Sequence, residues 1–221
     1  MPPSRVAASI ACLSLLVLGA CAAEEVDPAD EPTDATEDEL RGGSLASGDM
    51  RRIDTPAGMP TPWAQPDSTG WFDERGKCGP TALANTLRLY WIDLSPEQAD
   101  RAGVHWHIGT LGRQIEGYLS TRHPELRCAL EHPTHGASFL RTELSAGHPV
   151  MVWFNTQNTL SSHWVTAVGV RGRGAEEDVI VMSWGRYYAI RMRKLVAAWS
   201  NVYGIHNPAV VCRDRTVLMQ R

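Results

Sequence analysis

Apolar positions along the chain change their period near residue 148. Before that point they recur at helical spacing. Leu83, Leu87, Tyr90 and Trp91 predict a helix over 80–91. Pro80 suits its first turn, where a missing N–H costs nothing. Ser95 followed by Pro96 predicts a second helix over 95–102. Leu111, Ile115, Tyr118 and Leu119 mark a third, starting from Thr110. "LRCALE" (126–131) alternates like a short strand, and "ASFLRTELSAG" (137–147) reads as a helix closed by Gly147.

Beyond residue 148 the segments are β-branched, apolar and bounded by turns. "PVMVWF" (149–154), "HWVTAVGV" (163–170), "DVIVMSW" (178–184) and "YYAIRM" (187–192) predict four strands. "RGRGAEED" forms a hairpin loop between the second and third. "RKLVAAW" is a short helix, and "AVVC" and "RTVLMQ" have strand character. Helices followed by consecutive antiparallel strands predict an α+β fold with N-terminal helices packed on a C-terminal sheet.

The first sixty residues differ in kind. One Arg precedes an apolar run from Val6 to Ala20, too short for a stable membrane span. The run ends in Leu18-Gly19-Ala20-Cys21, which resembles a bacterial lipobox, so residues 1–20 are expected to be a lipoprotein signal peptide. Cys21 is then the lipidation site; the other reading is an ordinary signal with an incidental cysteine. Acyl chains on Cys21 would anchor the protein without a spanning helix, at the outer membrane or periplasmic face of a bacterial cell envelope. Residues 21–62 are acidic, rich in Pro, Ala and Thr and poor in aromatics, and are expected to be a disordered tether. The folded domain is expected over 63–221.

Charge follows the same division. Residues 1–50 hold ten acids and two bases, while 51–221 hold nineteen bases and fifteen acids. That mild basic excess is too small to argue for nucleic-acid binding. Three of the five cysteines, Cys78, Cys128 and Cys212, fall in the domain. In an oxidising compartment they permit one bridge and one thiol, with Cys128–Cys212 the candidate bridge, or three reduced thiols.

Cys78 stands where a helix begins. Unpaired N–H groups and partial positive charge there favour thiolate, the nucleophilic form. Position alone also suits an inert buried cysteine. Among eight histidines, only His163 opens a strongly apolar strand after a polar loop, "NTQNTLSS"; taken alone it also suits a core histidine. "HWH" at 105–107 lacks companion ligands for zinc, so no metal or cofactor is expected.

Four segments together, "CGPTALANTL", "AGHPVMVWF", "SHWVTAVGV" and the "SWG" of "VIVMSWGRYY", resemble papain-like cysteine peptidases. The resemblance is to the bacteriocin-leader-processing branch, family C39, over residues 71–200. It implies a papain-like fold, Cys78 as nucleophile, His163 as base, and an Asp or Asn immediately before the Ser-Trp-Gly turn. Met182 stands at that expected position, with Ser183 the nearest polar substitute and therefore the third candidate. The family's Gln six residues before the nucleophile is Phe72 here, with Trp71 and Asp73 beside it.

The resemblance implies a monomeric, lipid-anchored peptidase acting on a peptide or protein. Two alternatives stay open. One is a cell-wall amidohydrolase, although such enzymes show Asp-Cys-Ser-Gly where this chain has "KCGPT". The other is a surface binding module that has lost the catalytic machinery.

Overall fold

The computed structural model describes residues 43–65, 77–104, 109–157 and 162–214. The signal segment, Cys21, most of the tether, Trp71 to Asp73, "HWH" and "RTVLMQ" lie outside the described residues. Among the described residues there are five α-helices and seven strands. In chain order they are β1 (Met50–Ile53), α1 (Cys78–Leu89), α2 (Pro96–Ala99), α3 (Gly112–Arg122), β2 (Cys128–Glu131) and α4 (Gly136–Ser145). Then come β3 (Val150–Asn155), β4 (Ser162–Arg171), β5 (Asp178–Ser183), β6 (Arg186–Arg191), α5 (Met192–Trp199) and β7 (Ala209–Cys212). The strands form one sheet in the order β1-β6-β5-β4-β3-β7-β2, with antiparallel pairs throughout.

Alternation along the strands divides the core in two. Val150, Val152, Phe154, Val165, Ala167, Val179 and Val181 pack with Leu140, Leu144, Leu195 and Trp199 of α4 and α5. Met151, Trp153, Trp164 and Val210, on the other face, pack with Ala82, Leu83 and Leu87 of α1 and Ile115 and Leu119 of α3. Helices therefore cover both faces, because the four central strands are apolar at odd and even positions alike. The predicted helices each form within a few residues of expectation. Ser95 caps α2 with a reciprocal capping box to Gln98, and Gly147 takes φ 84° after α4.

Residues 43–62, placed in the tether by composition, are an arm of the fold. Leu45 N–H donates to Asn155 O and Leu45 O accepts from Gln157 N–H, each at 3.0 Å. Leu45 and Met50 are buried. β1 then extends the sheet beside β6, and Arg51 reaches Asp178 of β5 at 2.9 Å. Ile53 and Met59 cover a small apolar cluster of Leu89, Val168, Ile180, Met182, Tyr187 and Ala189.

A disulfide joins Cys128 to Cys212, which face each other in the register of β2 and β7. Cys78 lies outside that bridge and keeps its thiol.

Candidate active site

Cys78 is the first residue of α1, and Lys77 before it makes no side-chain cap. Lys77 O accepts from Thr81 N–H at 3.0 Å and from Thr81 Oγ1 at 2.7 Å. The first-turn N–H groups are thus left uncapped by a side chain, beside the sulfur. The residue is 5% exposed. Burial pushes the Cys78 thiol up from its ordinary value; the main-chain N–H groups of Trp164, Gly79 and Cys78 itself oppose this without cancelling it. Gly79 is sterically required: a Cβ there would lie 2.2 Å from Thr110 Cβ. The segment entering α3 therefore runs in direct contact with the turn that carries the thiol.

Three contacts lock α1 onto β4. Thr166 Oγ1 donates to Ala82 O at 2.8 Å, and Thr86 Oγ1 lies 3.2 Å from Thr166 Oγ1. The third is the Trp164 N–H aimed at Cys78 Sγ. Trp164 follows His163, so the thiol reaches β4 one residue from the imidazole.

His163 is 7% exposed and stands opposite Phe154 across β3 and β4. Its Nε2 lies 2.8 Å from Ser183 Oγ. The Trp184 indole stacks on the ring at 4.4 Å and 14°, and Phe154 meets it edge-on at 5.9 Å. Burial lowers the His163 pKa to about 4, which keeps the ring neutral near pH 7. Ser183 and Trp184 come from the hairpin between β5 and β6. Ser183 pairs with Arg186, and Trp184 and Gly185 between them take φ 44° and 71°. Two successive positive φ values are the pattern of a tight type I′ turn. A tryptophan there costs on the order of 1 kcal/mol, and the stacking on His163 is what that strain accomplishes.

Met182 is not where the resemblance puts it. Its side chain lies on the opposite sheet face, fully buried against Leu89, Val168 and Tyr187. Side chains alternate along a strand, so a one-residue offset reverses the face. Ser183 shares the His163 face and meets the ring. Other histidines make scaffold contacts: His148 pairs with Glu143 at 2.8 Å, and His132 Nδ1 lies 2.9 Å from His206 O. Sequence reasoning missed Thr86, Thr110 and Thr166. The signal for Thr166 was a lone hydroxyl inside the apolar run "HWVTAVGV".

No protein-family model matches the sequence, and no curated protein matches it. Solved structures do. The peptidase domain of Streptococcus ComA, a bifunctional ABC transporter involved in a quorum-sensing pathway, aligns with TM-score 0.50 at 14% identity, over 70% of this chain and 98% of that one. A Bacillus anthracis protein described as a C39-like peptidase aligns with TM-score 0.52 at 15% identity, over 76% of this chain and 98% of that one. At such identities the likeness is one of architecture, and the papain-like α+β fold of C39 peptidase domains is the fold of this chain.

Proposed function

We propose that this protein is a cysteine peptidase with Cys78 as nucleophile, His163 as general base and Ser183 orienting the base. The observation that carries the reading is the meeting of α1 and β4. The Cys78 sulfur sits against the Trp164 N–H while the adjacent His163 is held through Nε2 by Ser183. Ser183 engages one ring nitrogen, which leaves Nδ1 for the thiol proton. Thiol–base contacts of this kind often close only when substrate is bound.

Both groups are buried, and burial favours their neutral forms. The pair therefore rests as thiol and imidazole. As sulfur attacks the peptide carbonyl carbon, the S–H proton passes to His163 and the carbonyl oxygen gains the charge. The Cys78 N–H at the start of α1 faces that oxygen. The imidazolium then protonates the leaving amine as the C–N bond breaks, and water hydrolyses the resulting thioester, its proton passing through the same ring. The wild-type chain should be labelled at Cys78 by a peptide-like electrophile, and His163→Ala should slow labelling at least tenfold. Labelling that is indifferent to His163 defeats the reading.

A binding module without catalysis is the second reading, favoured by the buried thiol and by a hydroxyl standing where a carboxylate would serve the base better. It requires that wild type and His163→Ala label equally. We also propose that Cys21 carries lipid and ties the domain to the cell envelope. The lipobox-like Leu18-Gly19-Ala20-Cys21 supports this, and Cys21→Ser should move the protein out of the membrane fraction.

A further inference from the structure

The arm ends at the site. Trp63 N–H donates to Asn85 Oδ1 at 2.7 Å, and Trp63 O accepts from Gly185 N–H at 3.0 Å. Asn85 lies on α1, seven residues beyond Cys78, and is fully buried. Gly185 is the second residue of the turn that places Ser183 and Trp184 against His163. One peptide unit on each side of Trp63 therefore links the helix of the thiol to the turn of the base. Supporting contacts fix the arm in this place. Tyr187 Oη donates to Pro60 O at 2.8 Å, the Arg88 guanidinium lies 4.8 Å from the Trp63 ring centre, and a Cβ on Gly185 would meet Ala64 Cβ at 3.3 Å.

A buried asparagine in a helix interior is costly unless both ends of its amide are used. Among the described residues Asn85 Nδ2 has no partner, and the amide is used through Oδ1, on Trp63 N–H. The turn it supports indirectly is strained at Trp184, and strained backbone persists only where its surroundings hold it. From this we infer that Asn85 is a positioning residue for His163, acting through the main chain of Trp63 and the Ser183–Gly185 turn. Through this link the arm fixes the orientation of the imidazole, beyond its service as cover for the core. The inference rests on the reading of Cys78 and His163 as the working pair.

Its test reads the ring directly. In protein labelled with ¹⁵N-histidine, the His163 signals are assigned by their loss in His163→Gln. Wild type should show one neutral tautomer fixed by Ser183, with ring protons shifted upfield by the Trp184 indole. Asn85→Ala should lose at least half of that upfield shift and average the tautomers, while distant main-chain amides keep their positions. Trp63→Pro, which removes only the donor N–H from the link, should do the same; Trp63→Leu, which keeps that N–H, should not. Unchanged ring signals in Asn85→Ala, or equal effects of Trp63→Pro and Trp63→Leu, overturn the inference. Should Asn85→Ala fail to fold, the two Trp63 variants decide it. Labelling of wild type that ignores His163 would defeat the peptidase reading and leave the positional link standing, because the ring signals need no substrate.

Discussion

A single hydroxyl stands against the ring nitrogen where the proposed mechanism would favour a carboxylate. Ser183 Oγ holds His163 Nε2 at 2.8 Å, and a neutral hydrogen bond contributes about 1 kcal/mol. Ser183→Ala should therefore slow His163-dependent labelling of Cys78 by roughly fivefold. Ser183→Asp puts a negative charge at the same ring nitrogen and should raise the His163 pKa from about 4. Labelling at pH 6 should then accelerate. Met182→Asn should give no acceleration, because its side chain enters the apolar cluster beside α1; it should lower stability by a few kcal/mol. An accelerated Met182→Asn variant would refute this placement. Cys78 and His163 were legible in the sequence because a helix start and a strand start are visible in residue patterns. The choice between Met182 and Ser183 was not. It turns on which face each residue takes, and only the pairing of Val181 with Tyr188 and of Ser183 with Arg186 fixes that.

At the scale of elements, the helices and the four central strands were readable because they are apolar in their own period. β1 was not. Its sequence is Met-Arg-Arg-Ile, and two of its four residues are exposed. Such a strand is short and charged, as an edge strand must be to resist pairing with other chains, and it follows an acidic, proline-bearing stretch. Its partner, β6, lies far along the chain, beyond the reach of local pattern. The arm nonetheless covers Val168, Ile180 and Met182 with Ile53 and Met59. A chain beginning at residue 63, the boundary suggested by composition, should expose this cluster and lose the cover of β1. It should melt at least 10 °C below the full chain and bind a hydrophobic dye; equal melting would show that the arm adds nothing.

For the whole molecule, acid is the weak direction. His163 is held at about 4 by burial, against 6.5 in an exposed chain. The folded state binds fewer protons there than the unfolded one, so stability is full above pH 6.5 and falls by roughly 3 kcal/mol as pH drops to 4. Glu143 adds to the loss. Burial pushes its carboxyl up, but Arg213 and His148 outweigh that and hold it below the usual range. Its contribution is present above the ordinary carboxylate value and fades as pH falls through it. Denaturant midpoints between pH 7 and 4 should decline steadily, and His163→Phe should flatten the upper part; an unchanged curve removes His163 as the cause. The disulfide closes 84 residues between the two strands at one edge of the sheet. Replacing Cys128 and Cys212 by Ala should cost about 2–5 kcal/mol, read as a shift in the same midpoints. At the other edge, Arg51 reaches an acid 127 positions later. As the chain emerges from the ribosome in order, Trp63 can meet Asn85 early, but β1 cannot pair until β6 exists. The helix that carries Cys78 is made early, yet the contact of Trp63 with the Gly185 turn closes near the end. Refolding should therefore show two phases: a faster one that forms the central sheet, and a later one in which Trp63 fluorescence and the competence of Cys78 arrive together. A nascent chain would thus hold Cys78 and His163 unlinked until its arm had folded back onto the turn between β5 and β6.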